Sequence, residues 1–160
     1  MKEWILKAER GLLSVERALL VLLVGGMIAL SFMQVVLRLF HANSLLWADP
    51  LLRHMLLWAG FFGAALAAAS QKHFALDVFI KKLPRPAYKT AIILSRLFAC
   101  AVCAILAAAS VKFLRDEAQA GTILFTMGSL EMKAVWLESI LPLGFILVGL
   151  HTLTAFLRDE

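Results

Sequence analysis

Cys100 and Cys103 stand in a C-x-x-C spacing, four histidines (His41, His54, His73 and His151) are spread along the chain, and one arginine, Arg96, interrupts a long apolar run. These residue types can support dithiol redox chemistry, axial ligation of haem, or charge handling inside a membrane. None of the three has the surroundings it needs. On a helix the two cysteines share a face with Ala99, Ala104 and Ala107. Without an electropositive, accessible setting, a buried thiol behaves as a small hydrophobe. Read as helices, the chain offsets His54 and His151 in depth by roughly 18 Å, and His73 and His151 by around 10 Å, so neither pair clamps one iron. Arg96 lies about 10 Å along a helix from Lys89, a distance its long side chain can snorkel. Phosphate-binding glycine loops, metal-ligand clusters and nucleophile–base pairs are absent. The residues predict neither an enzyme nor a cofactor or metal.

The elements that carry these residues are membrane spans. The chain is 62% hydrophobic and 17% charged, with mean hydropathy +0.86. A soluble domain is about 45–50% apolar and about 25% charged, so this composition excludes a soluble enzyme, a nucleic-acid-binding domain and a disordered tail. Four stretches have the roughly 20 apolar residues a spanning helix needs: about Ala18–Leu37, His54–Gln71, Ala87–Val111 and Ser139–Leu157. The first is longer than the apolar core of a signal peptide and lacks a small-x-small site after it, so it reads as an uncleaved span. The pattern predicts one all-α membrane domain over residues 1–160, with short amphipathic interfacial helices between and before the spans.

Orientation follows from the basic residues. Lys2, Lys7, Arg10, Arg17, Lys72, Lys81, Lys82, Arg85, Lys89 and Arg158 fall on one side, ten in all. Arg38, Arg53, Lys112, Arg115 and Lys133 make five on the other. Both termini are therefore expected in the cytoplasm, and the formal charge of +5 is explained by the membrane rather than by nucleic acid.

Shorter patterns fill the connections. Met1–Arg10 reads as an interfacial helix, with Trp4, Ile5, Ala8 and Leu12 on one face, in preference to a solvated extension of the first span. Leu76, Phe79, Ile80 and Leu83 predict a second surface helix that places Lys81 and Lys82 at the headgroups and ends at Leu83-Pro84. Asp49 is expected to N-cap the second span, with Pro50 at the first helical position. Trp47, Trp58 and Trp136 suit membrane interfaces or subunit contacts. The connection Lys112–Glu138 faces outward and reads equally as a partner contact or as a re-entrant segment packed on the chain's own helices.

All eleven acidic residues lie outside the spans or near their ends, so no carboxylate is placed at the midplane for proton or sodium coupling. That argues against a self-contained exporter. Packing features are instead abundant. Gly60, Ala64 and Ala68 line up on the second span, with Gly63 beside them, and Ser31, Gln34 and Arg38 form a polar stripe on the first. The chain reads as an accessory membrane subunit. The alternative is an anchor subunit of a respiratory or other membrane complex.

These residues resemble the small, four-helix (Q-type) membrane subunit of TRAP transporters, the tripartite ATP-independent periplasmic class. The resemblance runs through Gln34, Arg38 and Phe40; Trp47, Asp49, Arg53 and Trp58; Phe62-Gly63-Ala64-Ala65; His73 and Asp77; and Trp136 with Leu141-Pro142-Leu143-Gly144-Phe145. Ala48-Asp49-Pro50 departs from it, leaving one carboxylate where the family often has two. The resemblance implies a fixed, non-catalytic brace in the bacterial inner membrane. Its partners would be a large, many-span subunit carrying the sodium and substrate sites and a periplasmic protein that delivers an organic acid, such as a dicarboxylate or sialic acid. It also suggests that Arg38 pairs with Asp49, and that His73 and Asp77 fix the cytoplasmic connection.

Overall fold

The computed structural model describes residues 2–40, 45–70 and 85–158. Its elements are α1 (Lys2–Leu39), α2 (Ala48–Ala69), α3 (Arg85–Ala120), β1 (Ile123–Met127), β2 (Leu130–Lys133), α4 (Ala134–Glu138) and α5 (Ile140–Arg158). Four helical stretches are long and apolar enough to cross a membrane: Glu9–Leu39, Ala48–Ala69, Thr90–Ala120 and Ala134–Thr154. The all-α membrane architecture expected from hydropathy is what the chain forms.

Four boundaries differ from expectation. The segment expected as a separate interfacial helix is continuous with α1, a single 38-residue helix about 57 Å long. No proline or turn residue interrupts residues 8–17, and lone Gly11 costs too little to break a helix held by its neighbours. The third span runs on to Ala120 because Lys112–Gln119 are all helix-compatible residues, and it stops at Gly121. Gly121 takes φ +64°, and its N–H closes on the Glu117 carbonyl at 3.0 Å. A left-handed residue that returns a hydrogen bond to the last turn is a standard helix stop. The fourth spanning stretch starts earlier, because the turn Ala134–Glu138 precedes α5. At the start of α2 the cap is Trp47, with no side-chain hydrogen bond; Asp49 is in the first turn instead of capping it. Pro50 then falls third in the helix, still among the N–H groups that have no helical partner.

The connection between the third and fourth spans holds a feature not expected from hydropathy, an antiparallel hairpin. Met127 pairs with Leu130, Thr126 with Glu131, Phe125 with Met132 and Ile123 with Lys133, with a register shift between Ile123 and Phe125. The two-residue loop Gly128-Ser129 turns on Gly128 at φ +64°, a backbone state that glycine adopts without steric cost.

Helix neighbours run in the order α1, α2, α5, α3. The spans therefore lie side by side in one layer, with α1 and α3 outermost. The small interior this leaves explains the short list of buried apolar residues: Ala48, Ala59, Phe62, Ala65, Ala69, Ala134 and Ile140. Four of these repeat along α2 at spacings of three and four, the face that meets its neighbours. Long apolar side chains elsewhere stay exposed, among them Leu22, Ile28 and Phe32 on α1 and Leu94, Phe98 and Ile105 on α3. In hydrocarbon that surface is at home; in water it would not be. Hydroxyls within the helices bond to their own backbone, Ser110 to Leu106 and Thr152 to Val148, which removes their polarity from the membrane.

Candidate functional site

The ends of the helices on the hairpin side are joined by side chains from three elements. Gln34, one turn before the end of α1, donates from Nε2 to Asp49 Oδ1 at 3.0 Å. The expected Arg38–Asp49 pair is thus replaced by a neutral donor from the same polar stripe; Arg38 is exposed in the last turn of α1. Gln34 is half-buried where it meets Asp49, whereas Arg38, one turn further on the same stripe, is exposed. Pro50 supplies its carbonyl to His54 Nδ1 at 2.8 Å, so His54 closes on its own helix.

Trp58 on α2 reaches farther. Its Nε1 donates to the Leu137 carbonyl at 2.7 Å, and its ring meets Phe62 at 5.9 Å between centroids. Leu137 is in the last turn of the short helix α4, where carbonyls lack helical partners. One indole thereby ties the hairpin exit to the middle of the layer. Trp136, next door, is 72% exposed.

Gly144 and Pro142 open α5. Pro142 is its third residue, where an N–H is dispensable. Gly144 is buried, and a Cβ there would overlap the Phe61 ring. Phe61 in turn meets Phe145 edge-on at 5.1 Å. Gly63, by contrast, has open space around its missing Cβ. Arg53 caps an apolar groove of about 480 Å³ that continues over Leu56, Gly60, Phe61 and Ala64. Small residues leave this strip of α2 low between its neighbours.

At the opposite end, near the N-terminus of α1, lies a cluster that composition alone did not bring out. His151, fully buried on α5, has Nε2 at 3.0 and 3.2 Å from the two carboxylate oxygens of Glu16 on α1. Its Nδ1 is 3.6 Å from Glu9 Oε1, beyond hydrogen-bond range. That Glu9 oxygen accepts from Thr154 Oγ1 at 2.7 Å. Glu9 and Glu16 are 3% and 1% exposed. Two signals for this were in the sequence: carboxylates seven apart, hence on one helix face, and His151 with Thr154 three apart on an otherwise apolar helix.

Other expected site residues stand apart. Arg96 is half-buried on α3. Cys100 and Cys103 are half-buried free thiols, and Cys103 is a packing neighbour of Gly149. His54 and His151 are each engaged on their own partners, so they form no haem clamp, and no group able to hold a metal occurs among the described residues. His73, Asp77, Lys81 and Lys82, and the surface helix expected around them, lie outside the described residues, as does the side chain of Trp4.

The arrangement holds helices together and presents apolar faces. Comparison with protein families agrees. Residues 27–160 match the model described as tripartite ATP-independent periplasmic transporters, DctQ component. The match covers most of the chain, which belongs to this family: the small permease component of a TRAP transporter, a transport protein and not a catalyst. Comparison with curated protein sequences gives no match.

Proposed function

We propose that this DctQ-family chain braces the large membrane subunit of a sodium-coupled importer of organic acids, dicarboxylates or sialic acid among them. A periplasmic binding protein would supply the substrate, and this chain would be fixed in the inner membrane with both termini in the cytoplasm. The observation that carries this reading is the one-layer order α1, α2, α5, α3 with exposed apolar residues on both outer helices. A single layer encloses no translocation path, while its broad faces suit a larger membrane partner. The described ionisable groups are used in cross-helix bonds or sit near span ends, which fits a subunit that leaves sodium and substrate to its partner. The ten-to-five division of basic residues supports the orientation.

Co-purification in mild detergent tests the partnership. A much larger many-span protein should be recovered with this chain, and uptake in liposomes should need both proteins together with the binding protein and a sodium gradient. Transport by this chain alone would overturn the reading. Reporters fused near Leu83 and Gly121 should read cytoplasmic and periplasmic respectively.

A further inference from the structure

We infer, resting on the partnership proposed above, that the groove along α2 seats one membrane-spanning helix of the large subunit, and that this helix brings a carboxylate to Arg53. α2 is central in the layer, with α1 on one side and α5 on the other. Its buried residues, Ala59, Phe62, Ala65 and Ala69 among them, pack within the layer. Arg53, Leu56, Gly60 and Ala64 recur at spacings of three and four, so they share a different face, and all four are exposed. With Leu57 and Phe61 they line the groove of about 480 Å³, which runs for three turns, about 16 Å.

Two features of the groove point outward to a helix. The first is Gly60, which has no atom within 4 Å of where its Cβ would be. A glycine weakens a helix interior relative to alanine, and no neighbour among the described residues requires one here. An absent side chain lets another backbone come close, and Ala64, one turn on, extends the low strip. Phe61, held edge-on against Phe145 of α5, gives the groove a fixed wall. The second feature is the charge at its head. Arg53 lies inside the spanning stretch Ala48–Ala69, about 6 Å further along the axis than Asp49. Charges within spanning segments almost always face protein, where an opposite charge or a carbonyl meets them. Arg53 is instead exposed, and it makes no ion pair among the described residues. The acid one turn back, Asp49, accepts from Gln34. The complement of this strip is an apolar helix with one Asp or Glu at the level of Arg53. Its carboxylate takes paired guanidinium N–H groups, and its backbone passes over Gly60 and Ala64.

Co-expression of the full chain with the large membrane subunit of its own TRAP system, followed by purification in mild detergent, tests the seat. p-Benzoylphenylalanine in place of Ala64 should crosslink to the large subunit, and the crosslinked peptide should be a spanning segment that carries Asp or Glu. R53E should lower the recovered large subunit by at least about tenfold, the scale of a charge pair lost from a buried contact. G60L fills the groove and should lower recovery as strongly. It should leave the unfolding midpoint of the chain alone unchanged, because the space at Gly60 is open. R53E, at an exposed side chain, decides the matter if G60L disturbs the fold. Crosslinking from position 64 to lipid, or to a second copy of this chain, would overturn the assignment. Undiminished recovery of the large subunit by both variants would overturn it too and leave the partnership standing. No recovery of the large subunit by wild type would remove the partnership itself and the groove assignment with it.

Discussion

Trp58 Nε1 and the Leu137 carbonyl, 79 residues apart in sequence, meet at 2.7 Å. The bond gives a partner to a terminal helix carbonyl at membrane depth, where an unmet polar group is expensive. W58F keeps the aromatic bulk and removes the donor. It should cost about 1–2 kcal/mol, read as a lower unfolding midpoint in detergent micelles. W136F, at an exposed ring, should change the midpoint by less than about 0.5 kcal/mol.

The contact of Gly144 with Phe61 leaves no room for a methyl group. G144A should destabilise the chain by about 1–3 kcal/mol through overpacking. Adding F61A should recover part of that loss, so the double mutant will be less affected than the sum of the singles. Equilibrium unfolding of the four members of this cycle gives the coupling directly.

His151 and Glu16 form the contact on which the N-terminal part of α1 rests. H151L leaves a buried carboxylate without its donor and should cost about 3–5 kcal/mol. H151L/E16L replaces both partners by apolar groups and should be closer to wild type than H151L is. Hydrogen exchange should show the loss of protection in H151L first in residues 9–17.

Gly128 turns the hairpin in a left-handed backbone state. G128V should cost about 1–2 kcal/mol locally, because a β-branched residue resists positive φ. Its effect should be confined to exchange protection in residues 123–133, with the helices unchanged.

Much of the fold was legible because the bilayer imposes a length and a composition that hydropathy reads directly. The spans and their number follow from runs bounded by Arg17, Arg38, Arg53 and Lys72. Helix ends were less legible. Asp49 looks like a cap from its neighbour Pro50, yet Gln34, fifteen residues away, decides what Asp49 does. The hairpin was hidden because Ile123, Leu124 and Phe125 read as an apolar run, although Gly128-Ser129 between two short runs was a turn signal. The Glu9, Glu16 and His151 cluster was hidden for a different reason. Acids near a span end look solvated until the partner helix is known, and that partner is 135 residues away for Glu16.

The side-by-side order of the spans has a mechanical consequence. A plate one helix thick, about 10 Å, yields easily to forces that bend it out of its plane. Against forces within the plane it is stiffer, because α1 cannot slide without breaking the ties near both of its ends, Gln34 to Asp49 on α2 and Glu16 to His151 on α5. In the proposed role as a brace, such a shape would transmit lateral load along the membrane, in the manner of an outrigger, while following the curvature of its partner.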